Sequence, residues 1–144
     1  MNTLFLVIIS VIGGIACVFQ GHFMGIIDQE IGTKESIFIT YAGGGALVGL
    51  MMLFARGGHL SSWPKVPWYT LTAGLVGLMV VGVYAYAVPR LGLAKCFAVM
   101  IAAQLLGAMV FHHFGVLGAE VRPMNLERIL GGMFLVLGTW LILK

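Results

Sequence analysis

A chain of 144 residues that is 60% hydrophobic and only 9% charged has too little polar surface for a soluble domain and reads as an all-α integral membrane protein. Eight Lys and Arg against five acids give a formal charge of +3, but these cations are scattered, with no cluster or aromatic interleaving suited to phosphates, so nucleic acid is not an expected partner. A spanning helix takes about 20 residues; five spans therefore use nearly the whole chain, and residues 1–144 are expected to form a single transmembrane domain embedded in the lipid bilayer.

The first apolar run covers 3–20 and ends in Gln20-Gly21-His22. No Lys or Arg precedes it and no clean small-x-small cleavage signal follows, so it is expected to be retained as a helix rather than removed. Asp28, Gln29, Glu30, Lys34 and Glu35 then form the most acidic connection. Its Phe23, Met24, Ile26, Ile27 and Ile31 keep a partly helical spacing, which leaves two readings open: an oblique continuation of the first helix, or a break near Gly21 or Gly25. A second span is expected over 36–55, capped by Thr33 or Ser36 and ended by Arg56-Gly57-Gly58. Trp63, Pro64, Pro67 and Trp68 mark an interfacial loop. The third span is placed at 68–88, stopping before Pro89, and the fourth at 93–114. A loop containing Glu120, Arg122 and Pro123 leads to the fifth, 126–143, where Trp140 and Lys144 serve as interfacial anchors.

Small residues recur at four-residue spacing: Ser10 with Gly14, Gly45 with Gly49, Ala73 with Gly77 and Ala103 with Gly107. This pattern lets helix backbones approach closely where lipid and leucine are equally apolar. Cys17 and Cys96 have no metal-ligand spacing and read as small packing residues.

Charge placement bears on assembly. With five spans, Arg56, Lys65, Arg122 and Arg128 share the side of the N-terminus, and Lys34, Arg90, Lys95 and Lys144 the other. Four face four, so the excess of Lys and Arg that normally sets orientation is missing. A chain inserted both ways can form an antiparallel homodimer, the arrangement that many transporters encode as an inverted repeat.

The polar groups at membrane depth are the candidate site. On the fourth helix Cys96, Met100, Gln104, Ala108 and His112 step by four along one stripe. Gln104 offers a donor and an acceptor near mid-membrane, either as a site or gate residue or as an interhelical hydrogen bond. His112 is either a proton relay or an interfacial histidine. Tyr84 and Tyr86 project about 200° apart on a helix, so one is expected to line a cavity and the other to face lipid or the interface. Gln20 lies on a face of small residues with Gly13 and Ala16, and His22 extends that patch. No acid falls in the middle of an expected span. No nucleophile elbow, phosphate loop or paired-histidine metal motif is present, so neither an enzyme nor a bound cofactor or metal is expected.

The stretches GVYAYAVPRLGLAKCFAVMIAAQLLGAMVFHHFGVLG and RPMNLERILGGMFLVLGTWLIL, with Phe19-Gln20-Gly21-His22, resemble a bacterial five-helix family of unknown function within the drug/metabolite transporter superfamily, often described as inner-membrane exporters. The resemblance covers almost the whole chain and rests on its Val-Pro-Arg-Leu-Gly turn, Gln-Leu motif, His-Phe-Gly end of helix four and glycine-rich last helix. It implies a multi-pass protein of the bacterial inner membrane, paired or fused antiparallel halves, and transport of a small molecule. Ala103 stands where the family commonly has Gly, His112 where an Asp is common, and His22 or a neighbour where Asn is usual. Loss of that acid argues against cation coupling and favours a neutral or anionic substrate.

These readings combine as an antiparallel homodimer, or a pair with a close paralogue, that moves an unknown small molecule along a pathway contacted by Gln20, Tyr84, Gln104 and His112. The competing expectation is a non-transporting membrane subunit, or half of a heteromeric transporter.

Overall fold

The computed structural model describes residues 2–144. Among them five helices are long and apolar enough to cross a membrane, and there is no strand. They are α1 (Thr3–Ile31), α2 (Thr33–Phe54), α3 (Ala73–Leu91), α4 (Leu93–Phe114) and α5 (Leu126–Leu143). A short 3-10 turn, Trp68–Thr72, leads directly into α3.

The first helix does not end at residue 20. It continues unbroken through Gly21 and Gly25 to Ile31, because both glycines sit on a buried face where a bare backbone permits close approach. At a rise of 1.5 Å per residue, 29 residues extend about 43 Å, well beyond a hydrocarbon core of about 30 Å. Asp28, Gln29 and Glu30 therefore belong to the last turn of a helix that overshoots the core.

Two helix connections consist of one glycine each. Gly32 (φ 115°, ψ 162°) separates α1 from α2, and Gly92 (φ 88°, ψ 148°) separates α3 from α4. Side chains are all but excluded from this backbone region, so a helix break of a single residue requires glycine at both places; at Gly32 it lets α2 turn back onto α1. The expected starts and stops shift accordingly. α2 begins at Thr33 and has no side-chain cap, since the Thr33 and Ser36 hydroxyls both reach back to α1. α3 runs through Pro89 to Leu91; a proline in the last turn forfeits one hydrogen bond and leaves no long helix to disrupt.

The chain separates into two compact units, the first ending at Arg90 and the second spanning Leu91–Lys144. In the first, every buried residue lies toward the α1–α2 connection: Gly21, Met24 and Gly25 of α1, Ser36 of α2, and Tyr84, Ala85 and Val88 of α3. The Ser36 hydroxyl donates to Met24 O at 2.9 Å, tying α2 to α1. A Cβ at Gly25 would lie 3.2 Å from Val88 Cγ1, so this glycine sets the α1–α3 spacing. The opposite half stays open, with Ile12, Leu47 and Leu75 largely exposed.

The second unit is the antiparallel hairpin of α4 and α5. Lys95 Nζ donates to Leu143 O (2.8 Å) and Thr139 Oγ1 to Ala98 O (3.4 Å). Gly132 is buried, and a Cβ there would come within 3.3 Å of Leu106 Cδ2. Asn125 caps α5 by accepting from Arg128 N at 3.0 Å. Both cysteines are free thiols, Cys96 buried and Cys17 half-buried.

Candidate functional site

In the first unit, one turn beyond the Met24–Ser36 contact, α1, α2 and α3 leave a groove of about 470 Å³ lined by Gln20, Thr40, Tyr41, Gly44, Gly45, Val48 and Val81. Gln20 comes from the face of α1 that carries Met24 one turn later. Thr40 and Tyr41 come from α2, where Thr40 Oγ1 donates back to Ser36 O at 2.9 Å. Tyr41 Oη reaches Gly74 O only at 3.4 Å, a long and weak bond. A Cβ at Gly44 or Gly45 would meet nothing within 4 Å, so those two residues form a flat, unobstructed wall.

Gln20 is half-buried, and its amide has no hydrogen-bond partner among the described residues. At membrane depth an unpaired amide is costly, so the group calls for a ligand, water or another chain. Gln104 is also unpaired, and it is exposed on α4 beside Gly107, where a Cβ would again meet nothing. Two amides from two spanning helices thus lack internal partners.

The other candidate residues are placed differently. Tyr84 is buried, with 7% of its surface exposed, whereas Tyr86 is 58% exposed. Tyr84 is not among the residues lining the groove, which takes Val81 from the preceding turn of α3. His112 holds the α4–α5 loop: its Nδ1 donates to Glu120 O at 2.9 Å, while Arg122 N donates to His112 O at 2.8 Å. His113 Nδ1 accepts from Met124 N at 3.1 Å. The carboxylate of Glu120 accepts from Arg122 Nε and Nη2. That guanidinium holds the Glu120 carboxyl below its usual range, chiefly through the hydrogen bond, and the Arg122 value is raised in turn. His22 is exposed and lies beside the Phe23 ring.

Sequence reasoning missed Tyr41 and Thr40. Their signal was a Thr-Tyr pair one residue ahead of Gly43-Gly44-Gly45 in an otherwise apolar span. It also left Asp28 open between an acidic connection and a continuation of the first helix, and gave it no partner; the helix continues through it. The Asp28 side chain is 4% exposed, accepts from the Thr33 hydroxyl, and pairs with Arg90 Nη1 at 3.0 Å. Arg90 donates as well to Tyr86 O (2.6 Å) and lies 3.9 Å above the Tyr86 ring. This cluster closes the end of the three-helix unit below the groove. No group of His, Cys, Asp or Glu able to hold a metal ion occurs among the described residues.

Five apolar helices, short connections and unpaired amides at membrane depth define a small multi-pass helical membrane protein. The family described as "Putative inner membrane exporter, YdcZ" matches residues 5–141, and the chain belongs to it. The chain is also 30% identical, over 153 residues, to "Inner membrane protein YdcZ" of Escherichia coli (strain K12), an alignment covering 100% of this chain and 98% of that relative. It is accordingly an inner membrane protein. No solved structure matches it.

Proposed function

We propose that the protein is a small-molecule exporter of the drug/metabolite type that works as an antiparallel homodimer, with the substrate pathway between the two copies. The observation that carries this reading is the unpaired Gln20 amide in the groove beside Thr40 and Tyr41: a ligand-sized, mostly apolar recess on spanning helices with three polar side chains, closed at one end by buried Met24 and Ser36. In this reading Gln20 of the first unit and Gln104 of the second supply unpaired amides to the pathway, whereas Tyr84 is buried outside the groove and His112 is engaged by the α4–α5 loop. The balance of four cations on each side supports insertion in both orientations, which generates the inverted repeat from one polypeptide. Transport then proceeds by exchange of conformations between inverted, chemically identical copies. The family's description as an exporter supports transport rather than catalysis.

Two measurements test the reading. Topology reporters fused after Lys144 are expected to give both cytoplasmic and external signal; a single orientation sinks the antiparallel homodimer. Purified protein in liposomes loaded with a labelled metabolite mixture is expected to release a solute without any second chain. Release only after a paralogue is added would instead establish half of a heteromeric transporter.

A further inference from the structure

Resting on the transport reading above, we infer that the groove takes a neutral, planar ligand bearing a carboxamide or urea group, and discriminates against both cations and anions. Its lining of Gln20, Thr40, Tyr41, Gly44, Gly45, Val48 and Val81 contains no acid, Lys, Arg or His. The next acid along α1 is Asp28, two turns away or about 12 Å, and its carboxylate is already held by Arg90 and Thr33. Met24 and Ser36, both fully buried, fill the space between. An ion held in the groove at membrane depth would therefore give up hydration without meeting a counter-charge, which disfavours it against a neutral ligand.

A neutral amide meets the opposite situation. The Gln20 side chain offers two N–H donors and a carbonyl acceptor, all free of internal partners. The Thr40 hydroxyl spends its proton on Ser36 O and keeps its lone pairs as acceptors. Tyr41 Oη is only weakly engaged, at 3.4 Å. Carboxamide and urea groups pair with a glutamine amide through two antiparallel hydrogen bonds, and the bare wall at Gly44 and Gly45 admits a flat body. Tyr41 would thus set specificity together with Gln20.

Three compounds of one shape separate the charge classes: benzamide, benzamidine and benzoate. The chain has three glutamines, Gln20, Gln29 and Gln104, so the side-chain amides of full-length protein labelled with ¹⁵N at the glutamine side-chain nitrogen, in micelles, give three pairs of NMR signals, with Gln20→Leu assigning one pair. Benzamide is expected to move the Gln20 signal at concentrations at least tenfold below those needed for benzamidine or benzoate. Gly45→Leu is expected to abolish that response while leaving the Gln29 signal in place. A charged member acting on Gln20 as readily as benzamide overturns the inference, and so does a Gln20 signal that benzamide leaves unmoved. Liposome flux and the orientation reporters read the transport proposal separately. A Gln20 response to benzamide in protein that moves no solute would uphold the ligand class and count against transport.

Discussion

Asp28 and Arg90 form an unequal ion pair: Oδ2 and Nη1 are 3.0 Å apart, yet the carboxylate side chain is 4% exposed and the guanidinium side chain 50%. Removing the arginine leaves a buried charge, whereas neutralising the aspartate leaves a cation that can reach water and still rests on the Tyr86 ring and carbonyl. Arg90→Ala should therefore destabilise the protein by about 2–3 kcal/mol, a value already reduced for the partly exposed partner, and Asp28→Asn by about 1 kcal/mol or less. In the double variant Asp28→Asn/Arg90→Ala most of the loss should return. Thermal unfolding in detergent measures the series, and equal losses for the two single variants would show that the pair is not asymmetric in energy.

The one-glycine connections make a second prediction. Ala at Gly32 or Gly92 must adopt backbone angles open essentially to glycine alone, a strain of about 1–3 kcal/mol at each position. Gly32→Ala also places a Cβ 2.6 Å from Glu35 Oε2, but that carboxylate is the end of a flexible side chain and can swing aside. Gly13, in the middle of α1 with nothing near its Cβ, is the control: Gly13→Ala should be neutral or stabilise by up to about 1 kcal/mol through helix propensity. If Gly32→Ala and Gly13→Ala unfold at the same temperature, the reversal at residue 32 does not depend on its backbone angles.

Five spanning helices were legible because apolar runs of about 20 residues match the thickness of the hydrocarbon core, and so short a chain has no interior large enough to bury five of them. What stayed hidden were relations across helices. Thr33 and Ser36 have the chemistry of helix caps, and only the closeness of α1 shows that their hydroxyls go instead to Asp28 and Met24 O. For Asp28 a connection and a continued helix both stayed open, because a polar run after an apolar one signals an ending; the helix carries on because its buried face, Gly21, Met24 and Gly25, continues. Gln20 could be singled out from its small-residue face. Its neighbours Thr40 and Tyr41 carry a local signal of their own, a polar pair ahead of three glycines, but no local pattern pairs them with a position so far away in the chain.

The α4–α5 loop should loosen in two distinguishable ways. His113 Nδ1 accepts from Met124 N, so His113→Ala should speed hydrogen exchange at the Met124 amide while leaving the Arg122 amide, bonded to His112 O, little changed. Acid acts through Glu120. Its carboxyl is held below the usual range by Arg122, so the stabilising contribution of the pair is complete above the ordinary glutamate value of about 4.3 and is lost as pH falls through the lower folded value. The effect should be small, because both side chains are exposed and such pairs are screened. Loop protection that rises on acidification would contradict this sign.

The balance of charges yields the prediction with the widest consequence. With four cations on each side, two added lysines are enough to tip the count. Ser61→Lys with Ser62→Lys adds to the side of the N-terminus and should hold that side in the cytoplasm. Gln29→Lys with Glu30→Lys adds to the other side and should reverse the orientation, because cation-rich short loops are retained inside. All four positions are exposed or peripheral, and none touches the Asp28–Arg90 pair, so stability should change little. Reporters after Lys144 would show one clean signal in each double variant, of opposite kind. If the working unit is antiparallel, neither variant alone should move a solute that the wild type moves in cells, whereas expressing the two together should restore it. Activity in either variant alone would mean that parallel copies, or a single copy, suffice.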